Sequence, residues 1–78
     1  MKRIIKVKPK DFKLVCEFND GEIIEYDMRY ILEEKGPMVD PLKDEVFFNQ
    51  VFVQDGDVIW PNGYDLNPEV IYREGRAL

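Results

Sequence analysis

Histidine is absent from the 78 residues, so the side chain that most often exchanges protons or binds metal near neutral pH is unavailable. A lone cysteine, Cys16, excludes an internal disulfide. No apolar run approaches the length of a membrane span, and none follows Met1-Lys2-Arg3 as it would in a signal peptide. These absences lead us to expect a cytoplasmic protein with no membrane contact and a reduced thiol. Linkers and low-complexity segments are also lacking, which suits one domain spanning residues 1–78. So small a domain draws only about 3–5 kcal/mol from its apolar core, which leaves little scope for a large active-site cavity.

What is present is a foldable composition with uneven charge. Hydrophobic residues make up 45% of the chain and aromatics 13%, enough for a core and too many for disorder. Lys2, Arg3, Lys6, Lys8, Lys10 and Lys13 face only Asp11 in the first thirteen residues, and the remainder is strongly acidic, for a net charge of −5. Overall acidity opposes general nucleic-acid binding unless the basic segment forms a face of its own.

The periodicity predicts an α+β fold: about five strands in antiparallel hairpins, a short helix after the third strand and a C-terminal helix. Arg3 to Pro9 alternates Ile5 and Val7 with Lys6 and Lys8, a half-buried strand that turns at Pro9-Lys10-Asp11. Phe12, Leu14, Cys16 and Phe18 recur at spacing two on the core face of a second strand, with Lys13 and Glu17 opposite. Asn19-Asp20-Gly21 then turns the chain. A three-residue loop with Gly21 at positive φ opposes Cys16 to Ile24 and Leu14 to Tyr26, apolar against apolar, whereas a two-residue loop would oppose them to Glu25 and Asp27. The chosen register sets Lys13 across from Asp27.

Asp27 is placed to cap a helix over Met28 to Lys35, with Ile31 and Leu32 docked on the sheet and Gly36-Pro37 as its end. Asp44 is placed to cap one further turn reaching Phe47 or Phe48, both core candidates. A second hairpin crosses Asp55-Gly56, where a two-residue loop (Val53 beside Val58) and a three-residue loop (Val51 beside Ile59) are both acceptable. Pro61 stops the strand. Asn67-Pro68-Glu69 supplies a cap, a first-turn proline and a first-turn acid for a helix ending near Gly75, with Ile71 or Tyr72 expected under Trp60.

Few residues offer chemistry. Cys16 is the single thiol, on an apolar strand face with no histidine to activate it, and reads as core. Asp40, Asp44 and Glu45, like Asp55 and Asp57, do not match a calcium loop, which needs oxygens at alternate positions, a central glycine and a distal Glu, and read as caps and turns. No cofactor, metal or catalytic set is implied, and the chain reads as a non-enzyme. Tyr64, Asn62, Asp65, Asp55 and Asp57 are the candidate partner contacts, because a Trp-Tyr segment anchors interfaces and acids meet basic partners. Lys6, Lys8 and Lys10 are the candidate nucleic-acid contacts of the rival reading. Against that reading, a lysine-rich edge strand also protects a sheet from edge-to-edge association.

Phe12-x-Leu14-x-Cys16-x-Phe18-x-Asp20-Gly21-Glu22, Tyr26-Asp27, Leu42 with Phe47 or Phe48, and Trp60-Pro61-Asn62-Gly63-Tyr64-Asp65-Leu66-x-Pro68-Glu69-x-Ile71-Tyr72 resemble the bacterial domain-of-unknown-function family 2442 (DUF2442) over almost the whole chain. The resemblance implies a small α+β domain similar to the N-terminal domain of a nitrifying-bacterium protein, which in some relatives precedes a helix-turn-helix. It brings no activity and no catalytic residues. The resemblance also implies a gene encoded beside that of another small protein, an arrangement similar to a toxin–antitoxin pair. The expectation is a non-enzymatic interaction domain whose acidic surface meets a small basic protein encoded nearby, as a monomer or homodimer.

Overall fold

Seven strands and a few short helical turns make up the computed structural model, which describes residues 1–78. Strands β1 (Ile4–Lys10), β2 (Lys13–Phe18) and β3 (Ile23–Asp27) form consecutive antiparallel hairpins. One 3₁₀ turn covers Ile31–Glu33 and another Asp40–Lys43, followed by the one-turn helix α1 (Glu45–Phe48). Then come β4 (Phe52–Gln54), β5 (Asp57–Ile59), β6 (Asp65–Leu66), helix α2 (Pro68–Glu74) and β7 (Arg76–Ala77). The strands divide into a sheet of order β1-β2-β3-β7 and a second of order β4-β5-β6. The fold is α+β, and no helix is long and apolar enough to cross a membrane.

The first hairpin pair has the expected register: Leu14 opposes Tyr26, Cys16 opposes Ile24 and Lys13 opposes Asp27. Phe18 N–H donates to Glu22 O (2.8 Å) and Gly21 N–H to Phe18 O (3.0 Å), with Gly21 at φ 90°. This is the three-residue loop that the apolar pattern demands. The same loop recurs at Pro61-Asn62-Gly63: Trp60 N–H donates to Tyr64 O (2.9 Å), Gly63 N–H to Trp60 O (2.9 Å), and Gly63 has φ 92°. Pro61 therefore begins a turn into β6, a strand absent from the sequence reading. In the β4–β5 hairpin the two-residue alternative prevails, with Val53 opposite Val58 across Asp55-Gly56.

Three expectations change. Ile4, not Ile5, enters the core, because a bulge between Ile4 and Lys6 turns Ile5 outward while Val7 stays opposite Cys16. The β1–β2 turn lies one step later than read, at Asp11-Phe12, where both residues take positive φ (51° and 62°). Phe12 holds that costly conformation with its ring edge-on to Phe48, centroids 5.1 Å apart. The helix after β3 shrinks to the 3₁₀ turn, although Asp27 Oδ1 accepts from Arg29 N–H (3.0 Å) as a cap would; Ile31 and Leu32 still dock on the core.

Both remaining caps form as the residue types dictate. Asp44 Oδ1 accepts from Val46 N–H (2.9 Å) and Asn67 Oδ1 from Glu69 N–H (2.8 Å). Tyr72 packs on Phe18 rather than under Trp60, at a centroid distance of 5.1 Å. After Gly75 the chain adds β7 to the free edge of β3, a strand with too short a period to be read in sequence. The inner faces of both sheets enclose one core of Ile4, Leu14, Cys16, Phe18, Ile24, Tyr26, Leu42, Phe48, Val58, Trp60 and Ile71, among others. The outer faces of both sheets carry exposed side chains, Lys6, Lys8 and Ile23 on one and Phe52, Gln54 and Asp65 on the other.

Candidate functional site

The Trp60–Asp65 segment is mostly structural. Trp60 is 1% exposed, and its indole N–H donates to Phe48 O (2.9 Å). Asn62 is used at both ends: Oδ1 accepts from Tyr64 N–H (3.1 Å), and Nδ2 donates to Met38 O (3.0 Å). Asp20 performs the matching task in the first loop by accepting from Glu22 N–H (2.9 Å). Tyr64 is half-buried edge-on to Trp60, with centroids 5.8 Å apart, and burial pushes its phenol pKa up. Of Trp60, Asn62, Tyr64 and Asp65, only Asp65 is exposed, on β6 opposite Ile59.

Asp55 and Asp57 lie at the other end of β5, about 10 Å along the strand from the Trp60 loop. The five candidate partner contacts therefore split into two places instead of forming one patch. Asp55 and Asp57 do converge with Glu69, which is remote in sequence, on a surface groove of about 290 Å³. Lys2 and Arg3 line the same groove, so it is mixed in sign. Lys2 N–H donates to Glu69 Oε1 (3.4 Å), while its ammonium reaches Asp20 (2.8 Å) and sits 3.9 Å from the Tyr72 ring centroid. That pair lowers the pKa of Asp20 and raises that of Lys2. Lys2 thus ties the N-terminal segment to the first loop and to α2.

Cys16 is fully buried, and desolvation pushes its thiol to about 12. No thiolate forms near neutral pH at such a value.

Lys6, Lys8 and Lys10 do come together on the uncovered face of the four-stranded sheet. Register places Lys6 beside Glu17 and Ile23, Lys8 beside Val15 and Glu25, and Lys10 beside Lys13 and Asp27. Asp27 is opposed to Lys13 as expected, yet its carboxylate is taken by Arg29 (2.7 Å), which holds it at about 2. Arg76 of β7 takes Glu25 (2.9 Å) and lowers its pKa. Val15 and Ile23 are the residues that sequence reasoning missed here. Their signal was visible: each is an apolar side chain at an outward strand position, Val15 between Lys13 and Glu17 and Ile23 ahead of Glu25.

Among comparisons with known proteins, a family model described as "Protein of unknown function (DUF2442)" matches residues 4–77. No match is found among curated proteins or solved structures.

Proposed function

The chain belongs to the DUF2442 family of proteins of unknown function, and from that premise we propose that it is a non-enzymatic protein-interaction domain. One observation carries the reading: in a chain of net charge −5 the fold gathers four lysines on one sheet face. Lys6, Lys8, Lys10 and Lys13 stand together on one open sheet face, whereas Asp55, Asp57 and Glu69 meet at a separate groove that also holds Lys2 and Arg3. Segregated charge steers a partner into one orientation and raises association rate more than affinity. The buried Cys16 and the use of Asp20, Asp44 and Asn67 as loop and helix caps support a non-catalytic role.

The groove's small excess of carboxylates, three against Lys2 and Arg3, suits a small basic protein, which in the two-gene arrangement suggested by the family resemblance would be encoded beside this chain in a bacterium. Tagged purification from the native cell at moderate salt, followed by mass spectrometry, tests the reading. One stoichiometric basic protein is expected, with recovery reduced by Asp57→Lys and Glu69→Lys. For Asp55, which holds φ 52°, Asp55→Asn is the better variant, because asparagine keeps the turn while removing the charge. Recovery of the bare chain would overturn the reading. The rival is nucleic-acid binding through Lys6, Lys8 and Lys10. It is favoured by their convergence and opposed by Phe12, whose ring lies against Phe48 and is not free to stack on a base.

A further inference from the structure

We propose that the open face of the four-stranded sheet is a docking surface for an extended acidic segment of a protein partner, seated across Lys6, Lys8, Lys13 and Val15. The inference rests on the interaction-domain reading and concerns a surface separate from the acidic groove.

The charge pattern leads to it. Five cations are satisfied within the chain: Lys2, Arg29, Lys43, Arg73 and Arg76 each have a carboxylate within 3.3 Å. Of the six others, Lys6, Lys8, Lys10 and Lys13 share this one face. The acids beside them are largely withdrawn, since Arg76 holds Glu25 and Arg29 holds Asp27. Glu17 and Asp11 remain to balance four lysines. A chain of net charge −5 thus carries a local positive excess that attracts carboxylates.

The shape agrees. A depression of about 120 Å³ is lined by Lys6, Lys8, Val15, Glu17 and Ile23. A neighbouring one of about 230 Å³ is lined by Lys10, Asp11, Lys13, Val15 and Glu25. Val15 is common to both, so the two form a trough with an apolar floor, extended by Ile23 at 41% exposure. Lys6, Lys8 and Lys10 repeat every second residue, about 7 Å apart along the strand. An extended segment with carboxylates at alternate positions has that same repeat, and its other side chains face away or reach Val15.

The segment lies across the face rather than adding a strand to its edge. Pro9 removes a donor from β1, the edge strand, and Ile4 N–H is already given to Gly56 O (2.9 Å). A single-stranded nucleic acid fits less well, because sheet faces that bind it offer exposed rings for stacking and this one offers aliphatic side chains.

The test uses the whole chain and a short synthetic peptide of alternating glutamate and valine, with its lysine counterpart and an oligothymidylate as comparators. Backbone amide shifts are followed by NMR during titration. The expected result is saturable, salt-sensitive perturbation by the acidic peptide alone, clustered on Lys6–Lys10, Lys13–Glu17 and Ile23. The double variant Lys6→Glu/Lys8→Glu should bind about tenfold or more weakly with an unaltered melting curve, because both side chains are exposed and make no ion pair. Absence of binding, perturbation centred on Asp55, Asp57 and Glu69, or binding of the oligothymidylate in place of the peptide would each overturn the inference. If a native partner is captured through Asp57 and Glu69 but is indifferent to Lys6→Glu/Lys8→Glu, the interaction reading survives and this one falls.

Discussion

Gly75→Ala sets two physical accounts of one residue against each other. Gly75 has φ −79° and ψ 178° at the end of α2, an ordinary extended conformation open to any residue. Backbone preference alone therefore predicts a neutral or slightly stabilising change, since alanine loses less chain entropy on folding. Packing predicts the reverse. A methyl group there would stand 2.3 Å from Ile24 Cγ2, 2.7 Å from Ile71 O and 3.0 Å from Glu25 O. Carbon atoms sit about 3.5–4.0 Å apart at contact, so Ile24 would have to retreat by more than about 1 Å into a close-packed core. The two carbonyl oxygens belong to the backbone of α2 and β3 and have no rotamer to change. Overpacking of this kind costs about 1–3 kcal/mol, and the upper half of that range is expected here. Release of the strain by lifting β7 would forfeit the Ile24–Ala77 and Glu25–Arg76 pairings. The assay is equilibrium urea unfolding followed by the fluorescence of Trp60, the lone tryptophan. In an Ile24→Ala background the penalty should shrink, because the nearest obstructing atom is gone, and the cycle should be non-additive. A Gly75→Ala protein as stable as the parent would refute the steric account.

Trp60→Ala should cost about 3–5 kcal/mol and unfold so small a domain, as seen by lost amide-shift dispersion. Trp60→Phe should fold but lose about 1 kcal/mol or more in urea titration, since it removes the indole bond and leaves Phe48 O only the longer bond from Val51 N–H (3.3 Å). Gly21→Ala should destabilise by more than about 1 kcal/mol although its surroundings are open, because φ 90° resists a side chain; Gly63→Ala, in the twin loop, should lose a similar amount. Folded-state pKa values of Asp20, Asp27, Glu25 and Asp40 lie below the ordinary range, Asp27 at about 2 through the Arg29 side chain and N–H. A depressed carboxylate stabilises above its unfolded pKa, near 4, and that stabilisation fades as pH falls toward 2. The urea midpoint should therefore drop through this window. Arg29→Ala should raise the Asp27 titration midpoint measured by NMR, and an unmoved midpoint would refute the assignment.

Where neighbours in sequence were also the physical partners, the chain was readable by itself. Asp44 and Asn67 cap the next turn with their own side chains, and Gly21 permits the one loop that opposes Leu14 and Cys16 to apolar residues. One buried face is enough to select that register, because a one-residue slip would exchange inside for outside. The lysines of β1 were likewise visible as a solvent-facing series, and the DUF2442 resemblance rested on these same local signals. Tertiary structure decided what depended on distant partners. Ile4 replaces Ile5 in the core because its N–H is tied to Gly56 and a bulge absorbs the extra residue. β6 and β7 are too short to carry a period of their own and exist because β5 and β3 present free edges. Lys13 faces Asp27 yet loses it to Arg29, and Asp55, Asp57 and Glu69 meet only once β5 and α2 are set side by side. Local rules act through the backbone between near neighbours, whereas edges, grooves and shared charges come into being only when separate elements touch.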